Sequence, residues 1–250
     1  MQNDGVAVVK DHRVVSHEEW LAARKAHLAR EKEFTRLRDD LSAERRALPW
    51  ERVTKAYVFD GPKGPQTPAD LFDGRTQLVV YHAMFDPKAA TPKTTWTEDA
   101  ACRFCSFWAD NFNGIVTHLN HRDVTMIAVS RAPYAKIAAY QERMGWTFPW
   151  VSSGDGDFNF DYGVSFTADE LAAQKAVYNY TVQRPFASEG PGVSVFYKDA
   201  AGQVFHTYST YARGLDMLNV AYHYLDIVPK GRDEGDNPIM WVRRHDEYDR

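Results

Sequence analysis

Two short apolar runs, Gln77–Tyr81 and Val124–Val129, bracket a segment in which Phe104, Trp108, Phe112, Ile115, Val116 and Leu119 recur at helical spacing. Runs this short, bounded by turn residues, read as strands, the first buried on both faces. Strand, helix, strand in that order closes as a right-handed parallel crossover. The chain is thereby steered into α/β architecture. Asp99 can cap the helix, Gly114 is tolerated inside it, and it is expected to end near Asn120. Pro133 opens a further helix that stops at Gly145. Phe148–Ser152 reads as a third strand. Val193–Tyr197 and Val204–Tyr208 flank the turn Asp199-Ala200-Ala201-Gly202, a strong hairpin signal. A last helix is expected from Gly214 to about Leu225.

Weaker patterns fill the gaps. Lys55–Phe59 reads as a short strand, Gly61–Pro68 as a loop, and Thr67-Pro68-Ala69-Asp70 as a helix start. A loop is expected over 153–163 and a helix near 168–177. Residues 16–47 read as a long charged helix whose Ser16 and Glu19 have capping-box spacing. Phe34, Leu37, Leu41 and Leu48 form one narrow stripe on it, too thin for a buried helix. That points to an arm lying across the body or against a second subunit, hence a candidate homodimer contact. The expected organisation is an N-terminal arm (1–50), a main domain (51–228) and a charged surface tail (229–250).

The only two cysteines in 250 residues sit as Cys102-Arg103-Phe104-Cys105, where the helix begins. Three apart, they share a helix face. The first turn of a helix has unpaired N–H groups and a partial positive charge, and both favour a thiolate. Cys102, nearer the helix end and expected to be the more exposed, is the candidate attacking sulfur; Cys105 is the candidate resolving sulfur. Arg103 adds positive charge between them. With 44% hydrophobic and 26% charged residues, a chain this long buries roughly 70–75% of its unfolded surface and needs no disulfide staple. Net charge is −4, without the Lys/Arg block of a nucleic-acid footprint. No run approaches the ~18 apolar residues of a membrane span. Met1–Gly5 lacks the apolar stretch of a signal peptide, so a reducing, cytoplasmic setting is expected. There a Cys-x-x-Cys beside a strand–helix–strand unit reads as a thioredoxin-like redox motif.

The resemblance extends further. Leu78-Val79-Val80-Tyr81-His82-Ala83-Met84-Phe85, the segment from Cys102 to Ser106-Phe107-Trp108-Ala109-Asp110, and Val129-Ser130-Arg131-Ala132-Pro133 carry it. So do Gly145-Trp146-Thr147-Phe148-Pro149-Trp150-Val151-Ser152-Ser153, Gly192-Val193-Ser194-Val195-Phe196-Tyr197 and His206-Thr207-Tyr208-Ser209-Thr210-Tyr211-Ala212-Arg213-Gly214. From about residue 75 to 228 the chain resembles DUF899, a family of thioredoxin-like bacterial proteins. The resemblance implies an α/β thioredoxin-like fold: a central mixed sheet flanked by helices, here with an N-terminal helical arm. It supplies no substrate. In such folds a proline before one strand, often in cis, faces the cysteine pair; Pro191 holds the matching place here, ahead of Pro149. With Arg103 and Phe104 it makes the expected substrate-binding set. Departures accompany the likeness. Arg103-Phe104 replaces the Gly-Pro dipeptide of thioredoxin, and Ala101 stands where a Trp precedes its pair. The Pro and Thr found seven and three residues before a peroxiredoxin's reactive cysteine are Thr95 and Asp99 here.

His82, at the end of a buried strand, and Asp86, just beyond it, are candidate proton carriers; for His82 the alternative is a hydrogen-bonded core histidine. His206 faces the same choice. His118 and His121 read as surface residues at a helix end, and Asp110 as a solvated acid. Two thiolates supply half a structural zinc site, and Ser106 stands where haem attachment needs a histidine. Asp155, Asp157, Asn159 and Asp161 begin like a calcium loop, but Phe160 and Phe166 occupy its glycine and glutamate places. The expected function is thiol–disulfide exchange on a protein disulfide or small thiol, with no cofactor, metal, nucleic acid or membrane. The alternatives are a non-enzymatic binding module and a metal site using the cysteines and a histidine.

Overall fold

A computed structural model describes residues 12–248; residues 1–11 of the expected arm and 249–250 of the expected tail lie outside the described residues. The arm is one helix, α1 (His17–Arg46). Ser16 caps it reciprocally: the Glu19 N–H donates to Ser16 Oγ at 3.2 Å and the Ser16 N–H to Glu19 Oε2 at 3.1 Å. Acids fill its first turn and arginines its last, matching the helix dipole. No residue of α1 is buried.

The body is an eight-stranded mixed sheet. Its centre is β4 (Gln77–His82), parallel to β5 (Val124–Ser130) and antiparallel to β9 (Gly192–Lys198). The hairpin strand β10 (Val204–Tyr211) follows β9, and β1 (Glu51–Arg52) closes that edge. On the other side lie β6 (Trp150–Ser152) and the hairpin β2 (Phe59–Gly61) and β3 (Gly64–Gln66). The central order β10-β9-β4-β5, two parallel strands followed by an antiparallel hairpin, is the thioredoxin-like arrangement. Alternation along β4 sorts two apolar layers. Leu78 and Val80 join Phe59, Phe72, Ile127 and Phe196. Val79 and Tyr81 face the larger layer, which holds both cysteines, Trp108, Phe112, Tyr140 and Trp150.

The expected cysteine helix is two helices, α2 (Arg103–Ala109) and α3 (Asn113–Asn120). Asn111 divides them: its amide donates to the Phe107 and Trp108 carbonyls at 3.0 Å each, satisfying orphan acceptors at the end of α2. Helix α4 (Tyr134–Arg143) follows β5 with Pro133 at its cap. Lys55–Tyr57 is not strand; Lys55 and Tyr57 are instead held by Asp161 at 2.6 and 2.8 Å. The Gly61–Pro68 loop contains β3, where Pro65 is tolerated because the strand is at an edge. The loop over 153–163 contains a single turn, α5 (Phe158–Asp161). Helix α6 (Ala168–Ala173) ends early because Gln174 turns left-handed, with φ 54°. The chain then forms a separate ribbon, β7 (Ala176–Tyr178) with β8 (Thr181–Gln183). Before α7 (Val220–Leu225), capped by Asn219, residues 212–218 make a tighter 3₁₀ turn.

The tail is not a surface appendage. Val242 is wholly buried and Arg244 nearly so. Arg244 donates to the Ala101 carbonyl from Nη2 at 2.7 Å and Nε at 3.2 Å. Arg143 pairs with Asp246 and Glu247. The tail's charges are matched by partners on the body, which composition alone could not reveal. Among the described residues no helix is long and apolar enough to cross a membrane.

Candidate active site

Strand β4 delivers the chain to Ala83–Asp86, and this turn is stitched to the start of α2. The Cys102 N–H donates to the Met84 carbonyl at 2.9 Å, and the Met84 N–H donates to Cys105 Sγ at 3.3 Å. From the preceding loop, Thr95 accepts the Arg103 N–H at its carbonyl, 3.0 Å, and donates its own hydroxyl to Cys102 Sγ at 2.9 Å. Cys102 is the cap residue of α2. The two cysteines stand 4 Å apart as free thiols.

Their electrostatics differ sharply. Burial would push the Cys102 thiol up. Donation from the Cys105 thiol and the Thr95 hydroxyl, with the nearby N–H dipoles of Cys105 and Phe104, outweighs it, bringing the pKa down to about 7. Those amides make no cap bond of strict geometry, yet their dipoles still face the sulfur. Cys105 moves the other way: burial, reinforced by the Cys102 charge, pushes it well above an ordinary thiol. Above about pH 7 the pair therefore holds its one remaining proton on Cys105, with the negative charge on Cys102.

Access is distributed oppositely to expectation. Cys102 is 0% exposed and Cys105 2%, and it is Cys105 that borders a cavity of about 340 Å³. Tyr81, Met84, Phe104, Trp108 and Leu215 give it apolar walls. Arg232, Glu234 and Ile239 bring the tail to its rim. The expectation that Cys102 is the more exposed sulfur is thus corrected: it is wholly buried, with the Thr95 hydroxyl bonded to its sulfur.

Pro191 and Phe104 line the cavity with Cys105. The Gly190–Pro191 bond is trans. A Cβ at Gly190 would meet the Tyr178 ring at 2.7 Å, so glycine lets the strand approach press against Tyr178, whose hydroxyl donates to the Pro191 carbonyl at 2.7 Å. Arg103 is not part of the wall; its guanidinium lies 4.9 Å over the Phe104 ring.

His82 and Asp86 serve elsewhere. His82 Nδ1 meets Asn159 Oδ1 at 3.3 Å and Nε2 meets Ser194 Oγ at 2.9 Å. From Ser194 the polar seam continues to Ser209 at 2.8 Å and His206 at 2.7 Å. Burial lowers the His82 pKa to about 4. With both ring nitrogens engaged, it brings no free ligand to the cysteines. Asp86 is paired with Arg131 at 3.0 Å and accepts the Lys88 N–H. Beside this pair lies Glu189, 1% exposed. Its Oε1 accepts from Ser165 at 3.3 Å, and its Oε2 has no partner among the described residues. Burial, with the Asp86 charge, raises its pKa to about 8. Among the described residues, no three His, Cys, Asp or Glu side chains converge in a metal-holding cluster.

Sequence reasoning missed Thr95, Met84, Arg244 and Glu189. Thr95 had a signal, a hydroxyl two turns' length ahead of Cys102; the others act through tertiary contacts alone.

Nothing among curated proteins matches the chain. Among solved structures it is similar to Peroxidoxin BcpB from Mycobacterium tuberculosis: 15% identity and TM-score 0.41, covering 68% of this chain and 92% of that one. It is also similar to Xanthomonas campestris Peroxiredoxin Q, at 15% identity and TM-score 0.41, over 68% and 94% of the two chains. A hypothetical protein from Sinorhizobium meliloti 1021 matches at 12% identity and TM-score 0.37, over 63% and 68%. The fold assignment rests on the strand order and not on these likenesses. The family model described as a bacterial protein of unknown function, DUF899, spans residues 9–248, and the chain belongs to that family.

Proposed function

We propose that Cys102 and Cys105 are a thiol–disulfide redox couple acting on a small molecule with an apolar body, admitted through the cavity beside Cys105. One observation carries this: two free thiols stand 4 Å apart at the start of α2, and Cys105 faces an apolar cavity of about 340 Å³. That volume lies at the small-ligand end of the usual range. A folded protein's disulfide is a poor fit, because both sulfurs are recessed.

The chemistry runs in two exchanges. As Cys105 Sγ attacks a substrate S–S bond, the Cys102 thiolate takes the Cys105 proton. A mixed disulfide forms on Cys105, and one substrate thiolate leaves and collects that proton from Cys102. The restored Cys102 thiolate attacks Cys105 Sγ, closes the Cys102–Cys105 disulfide and expels the second substrate thiolate. Two electrons pass from the pair to the substrate, and a thiol reductant returns the pair to its dithiol form. These roles reverse those read from the sequence, because access and charge fall on different sulfurs.

Mass spectrometry of single variants tests the order with 4,4′-dithiodipyridine, an apolar aromatic disulfide. Cys102→Ser, which lacks both the base and the resolving thiolate, should form a mixed disulfide on Cys105 more slowly and then retain it, and Cys105→Ser should abolish turnover. Adducts on Cys102 alone would restore the original order. Full turnover by both variants removes the redox reading. The burial of both sulfurs favours a second reading, a non-enzymatic binding module. In that case both thiols titrate near the ordinary value.

A further inference from the structure

Helix α1 runs 30 residues and buries none of them. At 1.5 Å per residue it is about 45 Å long. Helices in proteins draw most of their stability from a packed apolar face. Such a face exists on α1, and no described part of its own chain covers it: Trp20, Phe34, Leu37 and Leu41 are between 49% and 66% exposed, and Leu48, just past the helix end, is 47% exposed.

These positions fit a heptad. With Trp20 at a, Phe34, Leu41 and Leu48 are also at a, while Ala23 and Leu37 fall at d. His27, Arg30 and Glu44 interrupt the seam, so its apolar contact concentrates between Phe34 and Leu41. The flanks carry a sharper signal. Positions g hold Glu19, Ala26, Glu33 and Asp40; positions e hold Arg24, Glu31, Arg38 and Arg45. In a parallel pair each g residue faces the e residue five positions later on the other helix. Glu33 then faces the partner's Arg38; Glu19 faces the partner's Arg24, which also pairs with Glu31 of its own helix at 2.8 Å, and Asp40 faces the partner's Arg45, which also stacks on its own Tyr208. The fourth pair, Ala26 with the partner's Glu31, is neutral. An antiparallel pair sets g against g and e against e, which puts acid on acid and arginine on arginine.

We propose that this stripe docks α1 of a second copy of the chain, forming a parallel two-stranded coiled coil about a two-fold axis along the helices. The inference is independent of the redox reading. Arg45, stacked 4.9 Å over Tyr208, fixes the base of the arm to its own body. The parallel pairing therefore sets the two bodies side by side at the C-terminal ends of the helices.

Sedimentation of the full chain at up to about 100 μM should show a dimer, with Leu37→Lys weakening it by at least about tenfold. Glu33→Arg and Arg38→Glu should each weaken self-association, and mixing the two variants should restore it, because every arginine then meets an acid. Ala23→Cys should cross-link on oxidation, since only parallel helices bring residue 23 of each copy together. A monomer throughout this range overturns the proposal. So does a dimer indifferent to Leu37→Lys, or one whose Ala23→Cys variant does not cross-link while the parent chain also does not.

Discussion

Replacing Thr95 with valine isolates what makes Cys102 acidic. The Thr95 hydroxyl donates to Cys102 Sγ at 2.9 Å, and valine removes that donor while keeping a β-branched side chain. A hydrogen bond to a charged group is worth about 1.5–3 kcal/mol. At 1.36 kcal/mol per unit, its loss should raise the Cys102 pKa from about 7 by about one to two units. Thiolate absorbance in the ultraviolet reads this directly and does not require a reagent to reach a buried sulfur. Stability follows by linkage. Cys102 titrates near 7 in the fold and near 9 when unperturbed, so between those values the unfolded chain holds more protons. Its contribution is complete above pH 9 and is lost as pH falls through 7. Cys105, raised by burial, opposes this above its ordinary value. In Thr95→Val the rise in stability between pH 7 and 9 should shrink by the same amount. An unchanged titration midpoint would refute the assignment of Thr95, and a parent midpoint near 9 would refute the charged sulfur itself.

Two further expectations concern buried groups away from the cysteines. His82 should stay neutral down to about pH 4, visible in the NMR shifts of its ring protons. Its depressed pKa should remove about 3 kcal/mol of stability as pH falls from 6.5 to 4; a ring that titrates near 6.5 contradicts this. Glu189, with its pKa raised to about 8 by burial and by Asp86, contributes stability that is whole below about 4.5 and lost as pH rises through 8. Glu189→Gln should therefore match the parent in acid and exceed it in thermal stability at pH 8 and above. A difference that does not vary with pH shows that Glu189 is not the titrating group.

The crossover and the closing hairpin were legible because periodicity reports burial: β4, β5 and β9 are largely buried and β10 is half-buried. The cysteine pair at a helix start was legible from spacing alone. What spacing could not report is access. The cavity wall draws on Tyr81 and Met84, on Phe104 and Trp108, on Pro191, on Leu215 and on Ile239, five stretches that only the fold brings together. The break between α2 and α3 escaped for a similar reason: Phe112 and Ile115 keep helical spacing, while the Asn111 amide caps the Phe107 and Trp108 carbonyls where the backbone tightens into a turn. The tail misled through its composition. Its arginines and acids look solvated until Arg143 and the Ala101 carbonyl appear as their counterparts.

The clamp from Arg244 to Ala101 has a consequence for biosynthesis. Chains fold as they emerge, N-terminal parts first. Strands β4 and β5 and both cysteines precede residue 244 by well over a hundred positions, whereas β9 and β10 precede it by about 33 to 52, so the parallel half of the sheet is made long before the residues that clamp it. Until translation passes residue 244, Cys105 borders an open trough and the carbonyl beside Cys102 lacks its guanidinium. The sulfurs gain their sheltered setting only once the segment from Arg232 to Arg244 has been added.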